Sequence, residues 1–105
     1  MTFEVIFSPE AKEDLERLFD GVLERELNSH TGNLDLPERA IQAIRKGCEF
    51  LAHSPFSCRK VGENPFVREL LISFGATGYV ALFEIQGKQQ VVIGAVRHQR
   101  EDDYH

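Results

Sequence analysis

The spacing of apolar side chains changes period several times along the chain, in an order that names the elements. Phe3, Val5 and Phe7 fall on one side of an alternating run over residues 2–7, the period of a strand. Ser8-Pro9-Glu10 then breaks the alternation. A serine oxygen can cap the first helical amides, proline suits the first turn, and glutamate favours the positive helix end. Ala11, Leu15, Leu18, Phe19, Val22, Leu23 and Leu27 follow at helical spacing as a wide apolar stripe, weakened in the middle by Gly21. Residues 28–33 read as a polar loop. Asp35-Leu36-Pro37-Glu38 predicts a second helix start of the capping-box kind, with Asp35 as the cap. Its apolar face is Ala40, Ile41, Ala43, Ile44, Cys48 and Leu51, and it stops near His53, before Ser54-Pro55. After a loop over 57–65, three strands are predicted at 66–73, 78–85 and 90–97, joined at Ser73–Gly78 and Gln86–Gln89.

The order is therefore β-α-α-β-β-β in one domain, residues 1–105. It predicts an α+β fold: a mostly antiparallel four-stranded sheet with a two-helix antiparallel hairpin on one face. The strands carry apolar residues on both sides. Tyr79, Ala81, Phe83 and Ile85 oppose Val80 and Leu82, and Val91, Ile93 and Ala95 oppose Val92 and Val96. One helix pair covers one face only. Each large apolar side chain left wet forgoes about 1.5–3 kcal/mol, so a partner chain is expected over the second face or along helix one.

Charge narrows the partner classes. The net charge is −5. Residues 1–53 hold eleven acidic and six basic side chains, and residues 54–105 six of each, so any basic surface belongs to the second half. An acidic chain is a poor non-specific nucleic-acid binder, because phosphate neutralisation drives that affinity. The two cysteines, Cys48 at a core position of a helix and Cys58 in a loop, and the lack of a leader-like segment point to a reducing cytoplasm. No apolar run reaches membrane-spanning length. His30, His53, His98 and His105 lack metal-ligand spacing, so neither a metal nor a cofactor is expected.

The densest candidate chemistry lies where the last strand ends, in Arg97-His98-Gln99-Arg100 and, four residues on, Tyr104. Arginine grips phosphate or carboxylate by a forked pair of hydrogen bonds, and histidine moves protons near neutral pH. Each residue also has a plain reading. Charged residues often mark a strand leaving the core, and Arg68 has Glu69 and Glu84 within reach as partners on the sheet.

Several segments resemble one family. Phe7-Ser8-Pro9-Glu10-Ala11, Asp14-Leu15, Cys48 to Pro55, Arg68 to Gly75, Gly78 to Phe83 and Ala95 to Glu101 together look like the RelE/ParE superfamily of bacterial toxins, most of all its ParE-type, plasmid-stabilisation branch. The resemblance implies the toxin of a type II toxin–antitoxin module, neutralised by a cognate antitoxin that wraps it and contacts operator DNA on its behalf. Leu15, Phe19, Val80, Leu82, Val92 and Val96 are the antitoxin-binding candidates. The superfamily divides between inhibitors of DNA gyrase, which need only a binding surface, and ribosome-dependent messenger RNA endoribonucleases, which need proton transfer and phosphate stabilisation. The acidic balance favours the first, with Arg59, Lys60, Arg97 and Arg100 as target contacts. The second would use Arg68, Arg97, His98 and Tyr104. A third reading is an inactive member that binds antitoxin and aids autorepression.

Overall fold

The computed structural model describes residues 2–100. The elements are β1 (Glu4–Phe7), α1 (Pro9–Leu27), α2 (Leu36–Glu49), β2 (Arg59–Lys60), β3 (Val67–Phe74), β4 (Thr77–Gln86) and β5 (Gln90–His98). Short 3-10 turns at Phe50–Ala52 and Pro55–Ser57 carry the chain from α2 to β2. The start of α1 forms as its sequence requires. Ser8 is extended, its Oγ accepts from the Ala11 amide at 3.0 Å, and Pro9 occupies the first turn. Ser8→Ala is expected to destabilise the protein by about 1 kcal/mol, read as a lowered urea midpoint at unchanged slope. The α2 start differs from expectation. Asp35 has helical dihedrals and makes no side-chain cap. Its amide donates instead to Asn33 Oδ1 at 2.9 Å, so it is already inside a turn set by the loop.

The sheet has five strands, not four, in the order β1-β5-β4-β3-β2. The fifth is the two-residue β2, which pairs Arg59 with Glu69 and Lys60 with Arg68. All pairings are antiparallel except β1 with β5, which is parallel and joins Glu4 to Gln90. The β3–β4 turn is only two residues long, and Gly75 adopts the positive φ of 60° that such hairpin turns demand.

The helices cover one sheet face, α1 over β5 and α2 over β3. Ala11, Leu15, Leu18, Ala40, Ile44 and Leu51 meet Ile72, Tyr79, Ala81, Phe83, Ile85, Val91, Ile93 and Val96 there. Val96 is on the side opposite to the one alternation predicts. Phe83 pairs with Ile93 but Leu82 with Ala95, leaving Gly94 as an extra residue in β5. This bulge reverses the alternation beyond it. Val96 becomes fully buried in the core, and Ala95 and Arg97 turn to the other face.

Parallel β1 covers β5 only as far as Ile93. Beyond it, side chains take the place of a strand. Ser8 Oγ lies 3.4 Å from the Gly94 carbonyl, Asp14 Oδ2 accepts from the Val96 amide at 2.9 Å, and Arg17 Nη2 reaches the Val96 carbonyl at 3.5 Å. An open sheet edge is a template for unwanted pairing, and α1 closes this one.

Candidate functional site

Register assigns each candidate to a face. Val67, Glu69 and Leu71 of β3, Val80, Leu82 and Glu84 of β4, and Val92, Ala95 and Arg97 of β5 share the face away from the helices. That face is apolar along its middle. Leu71 is 51% exposed, and Val67, Leu82 and Val92 are half-buried. Of the antitoxin-binding candidates, Leu82 and Val92 lie here, and Phe19 lines a groove between α1 and α2 with Ile41 and Arg45. Leu15, Val80 and Val96 are corrected. At 5%, 2% and 0% exposure they offer almost no surface to a partner.

The cationic candidates do not form one cluster. Arg59 and Lys60 sit on the edge strand β2, while Arg97 and Arg100 sit at the end of β5, three strands across. At about 4.8 Å per spacing that is roughly 14 Å. Arg59 directs Nε and Nη2 at one oxygen, Oε1, of Glu69, its neighbour across β2 and β3. Arg97 Nη1 lies 3.3 Å from the His98 carbonyl.

Arg68 holds the chain together rather than a phosphate. Its Nε donates to the Pro65 carbonyl at 2.8 Å, and Nη1 to those of Phe56 and Cys58 at 2.9 and 2.7 Å. The guanidinium also lies 5.3 Å from the Phe56 ring centre. This corrects both sequence readings. Arg68 pairs with neither Glu69 nor Glu84, and its Nε and Nη1 are occupied in pinning the 55–66 segment.

His98 is held at both ring nitrogens. The Arg100 amide is 3.1 Å from Nδ1, and Thr77 Oγ1 is 3.1 Å from Nε2. An amide N–H can only donate, so Nδ1 accepts and the proton of the neutral ring sits on Nε2, pointing at the threonine. The ring stands edge-on to Tyr79, 5.5 Å between centres at 89°. Here His98 ties the end of β5 to β4. Tyr104, the remaining member of the ribonuclease set, lies outside the described residues.

Both cysteines are free thiols. Burial pushes Cys48 up to about 12, against a smaller opposing pull from Arg45, so it stays protonated at neutral pH. Cys58 is raised by burial as well, with Arg68 opposing.

One cluster escaped the sequence reading. Arg17, Leu18, Gly21, Val22 and Arg25 of α1 face Tyr79 and His98 across a cleft of about 280 Å³. The available signal was Arg17-x-x-x-Gly21-x-x-x-Arg25, two cations flanking a glycine on one line of a helix.

The fold is thus a helix hairpin laid over one side of a small mixed sheet, with an apolar strip and separated arginines on the other. Residues 5–103 match the family model described as the ParE toxin of the type II toxin–antitoxin system parDE, and the chain belongs to that family. It is 34% identical over 97 residues to Toxin RelE3 of Caulobacter vibrioides, an alignment spanning 92% of this chain and 95% of that protein. Its fold matches a solved chain of the chromosomal ParDE TA system from P. aeruginosa with a TM-score of 0.70, covering 92% of this chain and 96% of the other at 17% identity.

Proposed function

We propose that this toxin acts by binding DNA gyrase in the cytoplasm and is silenced by a cognate antitoxin. The observation that carries the reading is His98. A general base needs an accessible lone pair, and the Nδ1 lone pair of His98 already accepts from a backbone amide at 3.1 Å. Of the other candidates within the described residues, Arg68 directs Nε and Nη1 at three carbonyls, and Arg97 Nη1 lies 3.3 Å from the His98 carbonyl. A binding inhibitor needs neither group. It needs an apolar strip with cations at its borders, and the face carrying Leu71, Leu82 and Val92 has Arg59 on one side and Arg97 on the other. The antitoxin would cover part of that strip and the groove holding Phe19.

Expression of the free chain tests this. Filamentation, a DNA-damage response and loss of gyrase-dependent supercoiling are expected. His98→Ala is expected to keep at least half the growth inhibition, provided its melting temperature stays within a few degrees of the parent. The relative named RelE3 supports a second reading, ribosome-dependent cleavage of messages. Rapid translation arrest with cut transcripts, abolished in His98→Ala, would establish that one instead.

A further inference from the structure

We propose that the groove between α1 and α2 seats a basic amphipathic segment of the antitoxin, its apolar side on Phe19 and Ile41 and its Lys or Arg side chains against Glu16 and Asp20. It rests on the reading that an antitoxin silences this toxin, and adds the chemistry of the segment that docks. The groove measures about 470 Å³ and has Phe19 of α1 and Ile41 of α2 among its walls. Both are partly exposed, unlike Leu15 beside them, so an incoming apolar side chain has surface to cover. A trough between two packed helices is the shape that takes the apolar face of a partner peptide.

Charge chooses among the occupants. α1 holds seven acidic and three basic side chains, α2 two and three. Glu13, Glu16, Asp20 and Glu24 are all exposed and share about a quarter of the helix circumference. Glu16 and Asp20 line the groove itself, and Lys12 is the one base that α1 adds to its lining. Glu16, Asp20 and Glu24 follow at four-residue intervals, a spacing at which like charges repel across a helix surface. Among the described residues none of the three has an ion pair or a side-chain hydrogen bond to offset this.

A second copy of this chain suits the groove poorly. The two helices together hold nine acidic against six basic side chains, so two copies brought groove to groove repel. Nucleic acid suits it less, since phosphates share the sign of the α1 rim. A basic peptide relieves the repulsion along α1 while its apolar side covers Phe19 and Ile41. Arg45 of α2, its guanidinium 5.6 Å from the Phe7 ring centre, gives the groove a positive side as well. The docked segment is thereby oriented, bases toward α1 and any acids toward α2.

The test pairs the full toxin chain with its cognate antitoxin, their affinity measured by isothermal calorimetry at low and high sodium chloride. Asp20→Lys is expected to weaken binding at least tenfold and to flatten its salt dependence. Its melting temperature is expected to hold or rise, because the substitution removes repulsion within α1. Glu63→Lys makes the same charge change in the exposed loop between β2 and β3, and is expected to leave the affinity within twofold of the parent. In cells Asp20→Lys is expected to inhibit growth as the parent does and to escape rescue by the antitoxin. Undiminished antitoxin affinity in Asp20→Lys overturns the proposal and leaves the antitoxin reading intact, whereas no binding by the parent chain overturns both. Lost toxicity in Asp20→Lys at unchanged antitoxin affinity would give the groove to the target. A toxin dimer that dissociates in Phe19→Ala would give it to a second copy, and either result overturns the proposal.

Discussion

Phe83→Ala is expected to lower the stability of this domain by about 3–5 kcal/mol. Phe83 is 1% exposed and heads the fully buried side chains by volume. It sits in the middle of β4, between Arg68 of β3 and Ile93 of β5, at the level where β5 bulges. Its neighbours on both sides are backbone-paired strands, which cannot collapse to fill the space left behind. Domains of this size are stable by about 5–15 kcal/mol in total, so the variant would lie close to its unfolding transition at growth temperature. Equilibrium urea unfolding measures it, with the midpoint falling and the slope unchanged. A loss under about 1 kcal/mol would show that the core is not packed around this ring.

Gly78→Ala ranks next, and its cause is the opposite one, excess volume. A Cβ at Gly78 would lie 2.2 Å from the Ile72 carbonyl oxygen and 3.1 Å from the carbonyl carbon. Both atoms are backbone of the adjoining strand, so no rotamer relieves the overlap. β3 and β4 must part at their turn. The Gly78 carbonyl also accepts from the Gln99 amide at 2.9 Å, and Thr77 next to it holds His98. The displacement therefore reaches the end of β5. A cost of about 1–3 kcal/mol is expected, together with faster hydrogen exchange at Gln99 and Arg100 than at Val91 or Ile93. No greater rise in exchange at Gln99 and Arg100 than at Val91 and Ile93, relative to the parent chain, would contradict the proposed coupling.

Much of this architecture was legible because its punctuation is local. Ser8-Pro9 and Ser54-Pro55 mark where a helix begins and where one has ended, through constraints carried by two or three residues. What escaped depends on partners far away in the chain. β2 is two residues long and has no alternation to read; it exists because β3 offers Glu69 and Arg68 to pair with. The bulge at Gly94 is invisible to a rule that counts by twos, and it moved Val96 from the supposed interface into the core. The candidate site suffered in the same way. Arg97-His98-Gln99-Arg100 reads as available chemistry in one dimension, but in three dimensions both ring nitrogens of His98 have partners, as do Nε and Nη1 of Arg68 on β3. Arg17 and Arg25 were passed over because α1 was read for its apolar stripe alone.

The parallel join between β1 and β5 has a consequence for how the molecule comes into being. Residues 4–7 are made first among the strands, yet their hydrogen-bonding partner, residues 90–93, is made last. β5 also lies between β1 and β4, so β1 has no sheet to join until then. At about 5–20 residues per second, the emerging polypeptide spends several seconds as a helix pair without its floor. Any guardian translated alongside it has that interval to engage the nascent chain before an active surface exists.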